Sequence, residues 1–248
     1  MRFVQCTIMV LWACAVWLLA DLQANPLDHW YWRNPLPQGN FLHDVGYGGG
    51  VFVAVGDYGT IITSTNGLDW TLQASKTEAS LLGITYDAAR FVAVGGGPPW
   101  QPRNGSILTS TNAVDWTVHD TDNTTWLRGA TSGGGRSVVF AGNEEIYICS
   151  DGQDWQRRVL PSQAVPIMTM AYGNGVFAAF GENGLILTST DLDQWNNHSL
   201  ADVQVKFLAA TYAAGTFVAV GRNAIKRSLV DASSLATGRP TPEHRKRR

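Results

Sequence analysis

The chain is written in short strand-like runs. Residues 42–47, 81–86, 167–172 and 207–212 each end in Tyr and pass through a turn bearing Gly, Ala or Asn into a second, almost unbroken apolar run. That second run reads Phe52-Val53-Ala54-Val55-Gly56 and recurs at residues 91–95, more loosely at 137–141, and again at 177–181 and 217–221. A third run, such as Ile61-Ile62-Thr63-Ser64, alternates, and a fourth is polar. An unbroken apolar run marks a strand covered on both faces, whereas a polar one marks an outer edge. No segment sustains an apolar period near 3.6, so strands and not helices are expected.

Between the third and fourth runs stands a recurring box. It reads Ser64-Thr65-Asn66-Gly67-Leu68-Asp69-Trp70 in its first copy and Ser150-Asp151-Gly152-Gln153-Asp154-Trp155 in its third. The box tryptophans, Trp70, Trp116, Trp155 and Trp195, are 46, 39 and 40 residues apart. Four antiparallel strands in a unit of about 40 residues predict an all-β fold, a β-propeller of five four-stranded blades. The fifth unit lacks a box and its tryptophan, while Trp30-Tyr31-Trp32-Arg33-Asn34 precedes the first complete unit. The expectation is that this N-terminal strand joins the last blade and closes the ring, because closure removes two exposed sheet edges. The competing expectation is a truncated member of a larger ring.

The box looks like the Asp-box of the bacterial neuraminidase repeat, and the resemblance extends over about 200 residues to the sialidase-like superfamily and to propellers of the photosystem II assembly-factor type. An Asp or Asn followed by Gly suits a turn that must bond backbone amides and accept positive φ. Asn66, Asn112, Asp151 and Asp191 are therefore read as structural. The resemblance implies a fold, with either a glycoside hydrolase activity or an extracytoplasmic assembly role. Sialidases use an arginine triad, a Tyr nucleophile with a Glu partner, and an Asp acid. Trp32-Arg33-Asn34-Pro35 is similar to their Phe-Arg-Ile-Pro motif, but the strand assignment places Arg33 on an outer strand. No catalytic residue is carried over.

Composition narrows the setting. The chain has 248 residues, 45% of them apolar and 15% charged, with a net charge of −2, which excludes disordered and collagen-like classes. Residues 25–235 hold 12 Lys/Arg against 18 Asp/Glu, so no basic face for nucleic acid is expected. Residues 1–24 carry Arg2, an apolar run from Ile8 to Ala20, and small residues at Ala20 and Ala24. They read as a signal peptide of a secreted or periplasmic protein, too short in their apolar run to span a bilayer. Residues 25–234 form the propeller domain, and residues 235–248, ending in Arg245-Lys246-Arg247-Arg248, a disordered basic tail. Beyond residue 24 only Cys149 remains, so no intrachain disulfide forms. The isolated histidines give no metal-ligand spacing, and no cofactor is expected.

Irregular sequence gathers on the face opposite the boxes. The second unit inserts residues 96–105, with Trp100 and Arg103, and the link to the third unit carries Trp126 and Arg128. Asp57, Glu144 or Glu145, and Glu182 occupy matching turns on the same face. Irregular loops on a rigid scaffold are where binding residues concentrate. The ligand-binding candidates are thus Trp100, Arg103, Trp126, Arg128, Asp57 and Glu182, where a ring stacks on a sugar or a peptide side chain. The expected function is that of a monomeric, secreted, non-catalytic propeller binding a protein or a glycan. A sialidase-like hydrolase using the rim carboxylates and an extracytoplasmic assembly factor of a membrane complex are the alternatives.

Overall fold

A computed structural model describes residues 39–87, 89–97, 105–121, 126–162, 165–200, 204–222 and 230–231. The chain divides into two units, Met1–Leu36 and Pro37–Arg248, and every described residue belongs to the second. The segments holding the leader, residues 30–34, Trp100, Arg103 and the basic tail lie outside the described residues.

The described strands form five antiparallel sheets in chain order. The first is β1 (Leu42–Gly48), β2 (Val51–Gly56), β3 (Ile61–Ser64) and β4 (Thr71–Gln73). The second is β5 (Ser80–Tyr86), β6 (Phe91–Gly96), β7 (Gly105–Ser110) and β8 (Thr117–Asp120). The third comprises β9 (Leu127–Gly133), β10 (Arg136–Ala141), β11 (Glu145–Cys149) and β12 (Gln156–Val159), and the fourth β13 (Ile167–Gly173), β14 (Val176–Gly181), β15 (Ile186–Ser189) and β16 (Asn196–Asn197). The fifth has three strands, β17 (Lys206–Ala213), β18 (Thr216–Arg222) and β19 (Val230–Asp231). The repeat read from sequence is therefore a repeat of antiparallel sheets, four of them four-stranded among the described residues.

In four of the units the first hairpin turns on two residues of positive φ: Gly49-Gly50, Gly134-Gly135, Asn174-Gly175 and Ala214-Gly215. Two-residue loops of this hand match the natural strand twist. Every first strand also carries a bulge at the same place, skipping His43, Leu82, Arg128, Met168 and Leu208 in the ladder. A bulge bends the strand and re-aims the side chain that it leaves unpaired.

The core lies between successive sheets and not within them. Val53, Val55 and Ile61 of the first sheet meet Leu81, Ile84, Phe91, Leu108 and Trp116 of the second. Three further clusters of the same kind join the second to the third, the third to the fourth, and the fourth to the fifth. This arrangement explains why β6 and β14 are buried at every position. The two end sheets each retain an exposed apolar set, with Tyr47 61% exposed on the first and Val220 55% exposed on the fifth.

Three of these joints share one device. Tyr86 lies over Gly48, Tyr172 over Gly133, and Tyr212 over Gly173, so that a β-carbon on any of these glycines would fall inside the neighbouring ring. Each Tyr also packs on a Phe of its own sheet, at 4.7 Å for Tyr86–Phe91, 4.6 Å for Tyr172–Phe177 and 4.8 Å for Tyr212–Phe217. Offset aromatic pairs at such distances add stability beyond the area they bury.

Candidate functional site

The box turns are built by one side chain each. Asn66 Oδ1 accepts from the amides of Leu68 (2.8 Å) and Asp69 (2.9 Å), and Asn112 does the same for Val114 and Asp115. Asp151 Oδ1 takes the amides of Gln153 (2.8 Å) and Asp154 (3.0 Å), and Asp191 those of Asp193 and Gln194. Because these amides stabilise the charged form, Asp151 is pulled down to about 2, and Asp191 is lowered for the same reason. Neither is poised to donate a proton near neutral pH. The box indoles complete the turns by donating to a carbonyl three residues back: Trp70 to Gly67, Trp116 to Ala113, Trp195 to Leu192. In the third box Cys149 replaces the serine, accepting from Gly152 N at 2.9 Å, and burial pushes its thiol pKa up, away from a reactive thiolate.

On the opposite rim the candidate carboxylates are paired with cations or with histidine. His43, the bulge residue of β1, meets Asp57 Oδ1 at 2.8 Å, and that bond holds the Asp57 carboxyl below the usual carboxylate range. Lys206 Nζ donates to Glu182 at 2.6 Å, and Arg157 Nε to Glu145 at 2.9 Å. Asp57 and Glu182 thus have separate partners on different sheets. Asp44, in the first strand of the first sheet, is the carboxyl raised above its ordinary value, by burial, and it accepts the amides of Ile84 (2.9 Å) and Val45 (2.8 Å). It ties the first sheet to the second.

Trp126 and Arg128 stand at the start of the third sheet and make different contacts. The half-buried Trp126 ring occupies the space beside Gly96, where a β-carbon would collide with it, and its carbonyl accepts from Gly142 N at 3.1 Å. The exposed Arg128 runs across Gly142. Trp100 and Arg103 lie outside the described residues.

Two features escaped the sequence reading. A polar cleft of about 320 Å³ opens on the box side of the third and fourth sheets, lined by Arg136, Cys149, Asp151, Asp154, Arg158 and Asp193 among others. Arg136 spans it, donating to the Asp191 carbonyl at 2.5 Å. The second feature is the polar joint between the second and third sheets, where Ser137 Oγ donates to Asp87 Oδ2 at 2.9 Å. Its signal was present: the third repeat begins with Ser137 where the others have Phe. Among the described residues no group of His, Cys, Asp and Glu is placed to hold a metal ion, and no helix is long and apolar enough to cross a membrane.

No protein-family model and no curated protein matches the chain. Solved β-propeller structures do. YCF48 bound to D1 peptide is 14% identical with a TM-score of 0.54, the match covering 76% of this chain and 66% of that one. A streptogramin B lyase is 16% identical with a TM-score of 0.64, covering 75% and 64%. A structure of a nidogen/laminin complex is 13% identical with a TM-score of 0.57, covering 73% and 72%. The chain spans just under two thirds of the first two, and at these identities the likeness is one of fold alone.

Proposed function

We propose that this chain is a secreted or periplasmic, non-catalytic β-propeller that binds another protein or a glycan through the rim carrying Trp126 and Arg128. The observation that carries this reading is the state of the carboxylates. Asp151 and Asp191 are bound to backbone amides and held below the usual carboxylate range, while Asp57 and Glu182 each face their own basic partner. A glycosidase needs one carboxyl kept protonated opposite a second across the substrate. A binding rim needs only an aromatic anchor beside adaptable polar groups, which Trp126 and Arg128 supply. YCF48 with its D1 peptide and the nidogen/laminin complex favour a polypeptide as the ligand over a sugar.

The reading includes a ring closed within five sheets, residues 30–34 lending the fifth sheet its fourth strand. Deleting residues 30–34 then lowers the melting temperature, and an unchanged one counts against closure.

The functional test is retention of ligands on peptide and glycan arrays, with Trp126→Ala, Trp100→Ala and Arg128→Ala each weakening the bound signal about tenfold or more, as truncation of an interface anchor does. Turnover of any aryl-glycoside, abolished by Asp57→Asn or Glu182→Gln, would replace this reading with the sialidase-like hydrolase.

A further inference from the structure

The joint between the second and third sheets departs from all the others at four matched positions, and at a fifth, Arg90, from two of the three. Asp87 stands where the outgoing glycine is (Gly48, Gly133, Gly173), and Ser132 where the incoming tyrosine is (Tyr86, Tyr172, Tyr212). Ser137 replaces the phenylalanine, Arg90 stands where the first and fourth sheets have Val51 and Val176 and the third has Arg136, and Gly152 takes the place of Ala113 or Leu192. The replacements fit one another. Asp87 Oδ1 accepts the amides of Ala89 (3.0 Å) and Arg90 (2.8 Å), and its Oδ2 takes the Ser137 hydroxyl and faces Arg90 Nε at 3.3 Å. The Arg90 guanidinium lies in the slot left by the missing side chain of Gly152. Ser132 donates to the Tyr86 carbonyl at 2.7 Å and pairs with Thr85 at 2.9 Å. The side chains of Asp87 and Arg90 are only 9% and 19% exposed.

A largely buried ion pair in place of an apolar contact is poor value as stability, and its best-attested use is to set register. We propose that this polar joint is an assembly key, which makes the third sheet dock on the second and on no other. The Gly–Tyr joints share their Gly, Tyr and Phe positions, so in a chain of near-identical repeats those three alone do not specify which sheet meets which. Mating the third sheet to a glycine-bearing face leaves the volume of a tyrosine ring empty opposite Ser132, with a second void at Gly152 where that face carries Val51 or Val176. Mating a tyrosine-bearing sheet to the second lays the ring on Asp87 and Arg90 and strips the carboxylate of the Ser137 hydroxyl, leaving a buried charge short of partners. Each wrong pairing is penalised from both sides. Misassembly between like repeats, within a chain or between chains, is the failure that such a key prevents.

The test converts the key to the common pattern in the full chain: Asp87→Gly, Arg90→Val, Ser132→Tyr, Ser137→Phe and Gly152→Ala together. After unfolding in urea and dilution, monomer recovery measured by size exclusion with light scattering falls about threefold or more against the parent, and the loss grows with protein concentration as intermolecular misdocking requires. Recovery equal to the parent at every concentration overturns the proposal. If the fivefold variant does not fold, the pair Asp87→Gly and Ser132→Tyr decides. The double variant is expected to melt above both singles, and melting at or below the lower single shows that the two positions are not mates.

Discussion

The ring of Tyr172 rests on the α-carbon of Gly133, across the joint between the third and fourth sheets. This contact exists only because Gly133 has no side chain. Gly133→Ala is therefore expected to destabilise by about 1 to 3 kcal/mol through overpacking. Tyr172→Ala in the same chain removes the collision, so the double variant loses less than the sum of the singles. Urea unfolding of the four proteins of this cycle measures the coupling, and additivity would show that ring and glycine do not meet.

Trp116 is 1% exposed, packed against Val53, Val55 and Ile61 of the preceding sheet, with its Nε1 donating to the Ala113 carbonyl at 3.2 Å. Trp116→Ala removes a full indole from an inter-sheet core and is expected to cost about 3 to 5 kcal/mol. Trp70→Ala, on the first sheet and half-buried, costs less. Thermal melts of both variants check the order.

Ala214 holds φ at 49° in an exposed hairpin turn where the equivalent positions are Gly49, Gly134 and Asn174. A left-handed conformation strains a residue with a β-carbon. Ala214→Gly is expected to gain about 0.5 to 1 kcal/mol, the relief exceeding the entropy that glycine loses. A melting temperature that rises confirms the strain, and one that falls refutes it.

The outer strands of the second and fourth sheets are tied in by histidine. His119 Nε2 meets Thr109 Oγ1 at 2.8 Å, and His198 Nε2 meets Thr188 Oγ1 at 3.0 Å. Burial lowers both histidines below 6.5, so the folded state prefers them neutral. The stability that follows is present above pH 6.5 and is lost as pH falls through the lower folded values. Gln73 makes the same bond to Thr63 in the first sheet, at 2.8 Å. His119→Gln with His198→Gln is thus expected to keep the strands and flatten the decline in melting temperature between pH 7 and pH 5. A decline as steep as the parent's would place the titration elsewhere.

How far the site was legible varies with the kind of signal. The box aspartates and asparagines were readable as structural because their task, bonding the next amides, is completed within four residues. The rim carboxylates could be placed on turns, but their partners could not: Lys206 reaches Glu182 from 24 residues away, and His43 reaches Asp57 only because a bulge turns it toward the rim. Asp44 likewise has its partner far along the chain, its carboxylate bonding the amide of Ile84, 40 residues on.

What the sequence by itself determined is the unit: strand order, turn chemistry, the box, and the count of repeats, all of which depend on residues near one another along the chain. Which residues oppose one another across the joints was decided only by tertiary structure, because a joint is made of two faces contributed by different repeats. Tyr over Gly in three joints and Asp87 with Ser137 in the fourth are relationships between positions some forty to fifty residues apart. They come into being when the sheets exclude water from between them, and no periodicity within either repeat records them.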